Sequence, residues 1–464
     1  MAGKLRRSGV DLMYDVVIKG GKIVGSPFGT IKGDIGIAGE CIAAIGYDLK
    51  GKDVVDASGK LVLPGVVDAH VHMELPVSGT RSSDDFASGT KAAACGGVTT
   101  VIDFTVGDRD STLPEDIESR LDEAKKSYID YTLHAEIIGW HRSRSWEILK
   151  ATQMGVTSFK FFTAYSSSGR RTDRGALFDA FETIGDLGAL AIVHAEDEEI
   201  INHIVSLLDR SEIGDMSTLA KARPPLCEAL AVSDVIYLAE RANARVHIVH
   251  LSSALGLEAF KKGRSFYSKA TAETCPQYLL LTKEVYEGVE GHLYSASPAL
   301  RTSMDAQALW EGISNGDISL IATDHCPFTR EQKSWKDSFL DLPYGLPGVE
   351  TSLPLFFSEG VLKRGISLEV MVKLFAENPA RIYSLFPRKG ALQIGSDADI
   401  TILDPNQEWT ISSNNLHMNT DFSPYEGMTI KGKVCTTLSR GEVIYNNGLF
   451  KAREGRGKFL GRSL

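Results

Sequence analysis

VVDAHVHM, residues 66–73, is an apolar run that ends in two histidines two positions apart. Side chains on a strand alternate faces, so His70 and His72 would point the same way from the end of one strand. Such a pair is either half of a metal grip or two polar residues at the mouth of a strand. What surrounds it decides between the two.

Seven more β-rich runs follow, at 98–104 (VTTVIDF), 131–138 (YTLHAEII), 156–162 (VTSFKFF), 189–195 (ALAIVHA), 245–252 (RVHIVHLS), 269–274 (KATAET) and 319–325 (SLIATDH). Helical patterns lie between them, for example at 84–95, 114–126, 174–187, 226–242 and 304–315. Eight β–α repeats over roughly 300 residues are the count and length of a TIM barrel. The rival, a doubly wound open sheet, would carry a glycine-rich phosphate loop after its first strand, and none appears. Shorter alternating runs punctuated by Gly and Asp flank this region: 14–24, 33–46 and 53–65 before it, 390–405 and 428–448 after it. The expected fold is therefore α/β: a (β/α)8 barrel over 64–385, with a small β-sandwich built from 1–63 plus 386–464. The first dozen residues read as a frayed terminus.

The bulk composition is that of a soluble globular protein, 43% hydrophobic and 24% charged over 464 residues. A formal net charge of -10 argues against a nucleic-acid or anionic-membrane binder, since both need a basic surface. No run reaches the ~18–20 apolar residues of a membrane span. The six cysteines show no CxxC spacing, which suggests a reducing compartment, the cytoplasm.

In a TIM barrel the chemistry sits at the C-terminal ends of the strands. There the runs carry His70 and His72 (first), Lys160 (fourth), His194 (fifth), His250 (sixth) and Asp324 (eighth). Imidazole and carboxylate together suit divalent transition ions. In this company the His70–His72 pair reads as a metal grip. His134, His141, His203, His247, His292 and His417 have no such pattern; His247, three residues before His250, should face the other side of its strand. Lys160 lies inside the apolar run TSFKFFTAY, 157–165. Burial would lower its pKa, and a neutral amine reacts with CO2 to give a carbamate able to bridge two metals. A structural salt bridge is the alternative.

These residues sit within motifs that resemble the cyclic amidohydrolases of the dihydropyrimidinase and D-hydantoinase branch. The motifs are the run from HVHMELP to VIDF (70–104), TSFKFFTAY, VHAED (193–197), IVHLSS (248–253), AETCPQYL (272–279), ASPALR (296–301), ATDHCPF (322–328), GVET (348–351) and GSDADI (395–400). They occur in order over nearly the whole chain. The resemblance implies the same barrel and terminal β-sandwich, a homodimer or homotetramer, and two divalent metals, usually zinc. His70, His72 and Asp324 would hold one metal, His194 and His250 the other, and carboxylated Lys160 would bridge them. It implies hydrolysis of a cyclic amide, a dihydropyrimidine or 5-substituted hydantoin, to an N-carbamoyl amino acid by a bridging hydroxide. Tyr165 would stabilise the oxyanion and Asp324 would shuttle the proton. Main-chain atoms near Ser297 and Tyr344 would bind the ring amide; Tyr344 stands where the family has Asn, and HAEDEE stands where relatives often read HAENG. Leu75, Val77 and Phe162 lie where the family builds an apolar substrate wall, or are ordinary packing. Allantoinase and L-selective hydantoinase activities remain open. A dihydroorotase would carry Arg where this chain has Glu74. A non-catalytic scaffold of the dihydropyrimidinase-related kind would have lost metal ligands, and all six positions are filled here.

Overall fold

The computed structural model describes residues 13–464, so the first dozen lie outside it. Eight parallel strands form the central sheet in sequence order: Val66–Val71, Val98–Phe104, Asp130–Glu136, Ser158–Phe162, Leu190–His194, Arg245–Ile248, Ala270–Thr274 and Leu320–Ile321. A parallel bridge from Val71 to His325 joins the last to the first, and the His72 N–H donates to the His325 carbonyl at 2.8 Å. The sheet is therefore a barrel, as the eight repeats predict. Several strands are shorter than the apolar runs suggest: the sixth stops at Ile248 and the eighth has two residues.

The fourth repeat shows how the sequence sets side-chain directions. Helix Arg174–Leu187 begins at Asp173, whose carboxylate accepts the Ala176 N–H, and ends at Gly188 with φ +73°, a left-handed cap that favours glycine. Its buried residues Leu177, Ala180, Phe181 and Ile184 follow the i, i+3, i+4, i+7 spacing of one apolar face. That face covers the strand beneath it, with the Phe161 and Phe181 rings 5.8 Å apart. Phe159 and Phe161 thus point outward to the helix layer. Lys160, between them, is turned into the barrel.

Residues from both chain ends form one mixed nine-stranded sheet, and an antiparallel bridge between Cys41 and Asp397 ties its far edge back onto itself. The sandwich is thus a single folded sheet. It encloses its own core of Ile18, Ile23, Ile35, Ile37, Ile42, Ile400 and Ile402. Lys389 fastens this unit to the N-terminal end of the barrel. Its buried ammonium lies 2.7 Å from Asp130 on the third barrel strand, 2.7 Å from Asp399 and 2.9 Å from Asp397, and Arg440 adds a 3.1 Å contact to Asp130. Removing one partner of such a buried network strands the others' charge, at about 3–5 kcal/mol. Lys389→Met should lower the denaturant midpoint accordingly, read by urea unfolding at pH 7.

The six cysteines are all free. Among the described residues no helix is long and apolar enough to cross a membrane.

Candidate metal centre and substrate cavity

At the C-terminal end of the barrel lies a cavity of about 830 Å³. All twelve site residues singled out from the sequence line it: His70, His72, Leu75, Val77, Lys160, Phe162, Tyr165, His194, His250, Ser297, Asp324 and Tyr344.

His70 ends the first strand. Its Nδ1 is 2.5 Å from Glu273 Oε1. An ionised carboxylate only accepts, so Nδ1 carries the proton and Nε2 presents a lone pair. That Nε2, the His72 Nε2 and Asp324 Oδ1 lie 3.2 Å from one another. Three ligands at about 2.1 Å from a tetrahedral ion would stand about 3.4 Å apart, so this spacing suits a metal. A cation also relieves the repulsion between the His70 lone pair and the Asp324 charge. The second pair is His194 and His250, with Nδ1 of the first 2.9 Å from Nε2 of the second. Glu196 holds the other His194 nitrogen at 2.8 Å. Among the described residues, Nδ1 of His72 and of His250 are buried without a hydrogen-bond partner. Burial, helped by the neighbouring Lys160 charge, holds His70 and His250 well below the usual histidine pKa. Neutral imidazole is the form that binds metal.

Lys160 is 1% exposed, with Nζ 4.9 Å from the Phe104 ring centre and 5.0 Å from that of Phe162. Among the described residues no carboxylate pairs with it. Glu136 pairs instead with Arg170 at 2.7 Å, and Glu273 with His70 and with His247 at 3.0 Å. The salt-bridge alternative is therefore not realised. Burial lowers the Lys160 pKa to about 8, against the opposing pull of Asp324.

His250 and Asp324 lie beyond the strand ends and have φ of +40° and +52°. Non-glycine residues rarely adopt this region, and when they do it is often at functional sites. The turn at His250 breaks strand alternation, which corrects the expectation for His247. That residue does not face away: its Nε2 donates at 3.0 Å to the same Glu273 that orients His70. His134 also points inward, satisfied by Ser158 Oγ at 2.6 Å and the Ala69 carbonyl at 3.0 Å.

Tyr165 follows the fourth strand at φ +75°. Its hydroxyl bonds Ser297 Oγ and receives Arg223 Nη2 at 3.3 Å. Burial raises its pKa, so it remains a proton donor at neutral pH. Arg223 in turn pairs with Glu196. The departure at HAEDEE has a role here. Asp197 caps the helix Glu198–Leu207, and Glu198 accepts the Ser166 N–H at 2.6 Å and pairs with Arg171 at 3.1 Å. Glu198 thereby pins the turn that carries Tyr165. Tyr344 sends its hydroxyl to the Phe339 carbonyl at 3.0 Å, away from the metal-facing end, while its ring stays on the cavity wall. Glu74 is not on that wall; it faces Lys126 at 3.2 Å.

Sequence reasoning passed over Glu273, Glu196, Arg223, Leu340 and Leu342. Glu273 was open to the same test as the histidines, a polar residue at a strand end. The two leucines complete an apolar side of the cavity with Leu75, Val77 and Phe162, and nothing periodic marks them.

A model of the amidohydrolase family matches residues 61–444. The chain belongs to that family. It is 39% identical over 455 residues to a D-phenylhydantoinase of Escherichia coli O1:K1, covering 96% of this chain and 98% of the relative. Among solved structures, a dihydropyrimidinase from Brevibacillus agri NCHU1002 superposes with a TM-score of 0.93 at 35% identity, covering 96% and 98% of the two chains. An L-hydantoinase (dihydropyrimidinase) from Arthrobacter aurescens gives 0.89 at 30%, covering 97% and 100%.

Proposed function

We propose that this enzyme hydrolyses the cyclic amide bond of 5-substituted hydantoins and dihydropyrimidines, giving N-carbamoyl amino acids. The observation that carries this is one cavity in which the His–Lys–Asp donor cluster faces an apolar wall. A ring carbonyl would meet the donors while a 5-substituent meets Leu75, Val77, Phe162, Leu340 and Leu342. The likeness to a D-phenylhydantoinase supports an aryl substituent in that place.

The donor set fits two divalent ions: His70, His72 and Asp324 for one, His194 and His250 for the other, and carboxylated Lys160 between them. Bound there, such ions supply Lewis acidity and lower the pKa of water from about 15.7 toward about 7. The protein's own groups then act on protons and position. Asp324 accepts the proton of the attacking water and returns it to the ring nitrogen as the C–N bond breaks. Tyr165 donates a hydrogen bond, keeping its proton, to the oxyanion that develops on the carbonyl, and Arg223 and Ser297 hold that hydroxyl in place. Main-chain groups at Ser297 and Tyr344 hydrogen-bond the ring amide. Water adds across the bond, hydroxyl to carbon and hydrogen to nitrogen, and no other reactant is consumed.

Losing one oxyanion donor typically slows kcat by roughly 10²–10³-fold. Tyr165→Phe should fall in that range, with the circular dichroism of the folded protein unchanged. Substrate choice is tested with metal-loaded enzyme on dihydrouracil, hydantoin, both enantiomers of 5-phenylhydantoin, allantoin and dihydroorotate. Opening of 5-phenylhydantoin or dihydrouracil is the expected result. Allantoin and dihydroorotate carry a polar ureido or carboxylate substituent, so turnover of either of them alone would overturn the assignment of an apolar 5-substituent to the Leu75, Val77, Phe162, Leu340 and Leu342 wall.

A further inference from the structure

Outside the catalytic cavity, Cys95, Glu350 and His417 each place one donor atom within 4.8 Å of the others. None of the three lines the cavity. They come from three distant parts of the chain. Cys95 ends the helix Phe86–Cys95, which follows the first barrel strand. Glu350 lies beyond the eighth barrel strand, and its main chain packs so closely on Gly96 that a Cβ there would come within 2.6 Å of it. His417 belongs to the segment between two strands of the terminal sheet, Ile400–Thr410 and Thr429–Ser439. The Glu350 carboxylate accepts the His417 backbone N–H at 2.6 Å, and its other oxygen is 2.7 Å from His417 Nδ1. These contacts hold the imidazole beside the carboxylate, with one proton between them that an ion would displace. Cys95 is 5% exposed and Glu350 7%, while the His417 side chain keeps 27% of its surface and gives an ion a way in.

The geometry points to a second metal site, one thiolate, one carboxylate and one imidazole, that binds a borderline or soft divalent cation such as Zn2+ or Cd2+. Thiolate with imidazole selects ions of this kind over Mg2+ or Ca2+. Donors around a tetrahedral zinc stand roughly 3.4–3.7 Å apart, so an ion is taken when the Glu350–His417 pair opens and Cys95 closes in, with the fourth position left to water. Binding releases the Cys95 proton and the proton held between Glu350 and His417. An ion here would join the barrel to the terminal sheet, so it stabilises the fold by mass action. The site does not depend on which ring the enzyme opens.

The test is Cd2+ titration of enzyme whose catalytic metals are already in place, followed by the ultraviolet thiolate-to-Cd2+ charge-transfer band. No cysteine is among the catalytic donors, so the band reports thiolate ligation. The site predicts a saturable band and about one more metal equivalent per chain than in Cys95→Ala, with roughly tenfold or more weaker binding in His417→Gln. It also predicts that Zn2+ raises the melting temperature of the wild type and not of Cys95→Ala, while both variants retain full ring-opening activity. A band and stoichiometry identical in the wild type and Cys95→Ala would overturn the site. So would Cys95-dependent binding that His417→Gln leaves unchanged, since the thiol would then be acting alone.

Discussion

Lys160→Ala is expected to lower kcat by roughly 10³-fold or more, because it would remove the carbamate proposed to bridge the two ions. The metal content should fall with it. The geometry supports this role over a structural one. Lys160 is buried, faces two aromatic rings and pairs with no carboxylate among the described residues. Burial outweighs the nearby carboxylates and disfavours its charged form. Its folded pKa of about 8 lies below the ordinary 10.5, so the folded state binds fewer protons than the unfolded one. The metal-free protein should therefore gain stability as pH rises from 8 toward 10.5. Apo Lys160→Met should be at least as stable as apo wild type at pH 7, measured by urea unfolding. Short carboxylic acids such as propionate should restore part of the activity of Lys160→Ala by supplying the missing carboxylate. Full activity in Lys160→Ala would remove the carbamate from this account.

Asp324→Asn is expected to lose kcat by roughly 10²–10⁴-fold, the range for removing a positioned acid–base group. The amide keeps the shape of the side chain and one oxygen, so the loss should exceed the change in KM. Asp324 sits at φ +52° with Oδ1 3.2 Å from both His70 and His72. The backbone is held there by its neighbours. The Thr323 N–H donates to buried Asp68 at 3.1 Å, and the His325 ring is fixed between Asp84 at 3.0 Å and the Gly348 N–H at 3.1 Å. A structural role alone would instead give a lower melting temperature at nearly normal kcat.

Much of this site is legible in the sequence because barrel strands obey a simple alternation. Lys160 between Phe159 and Phe161, and His70 with His72, could be aimed inward from spacing alone. Legibility ends where the strands do. His250 and Asp324 stand near the ends of their apolar runs, yet they lie past the ladder in left-handed backbone, where alternation no longer applies. Counting back from His250 by alternation therefore misplaces His247. Glu273 stands near a strand end and meets the same test as the histidines, whereas Glu196 lies past its strand, and nothing in the local sequence marks it as the partner of His194. The Cys41–Asp397 closure of the terminal sheet, and the arrival of Leu340 and Leu342 on the cavity wall, join residues far apart in the chain. Only the folded chain brings them together.

The most direct test is ring opening of 5-phenylhydantoin by enzyme stripped of metal with a chelator, then reloaded with Zn2+ in the presence of bicarbonate. Activity should vanish on stripping and return on reloading in the wild type but not in Lys160→Ala. Unchanged turnover by enzyme verified as metal-free would contradict the proposed centre.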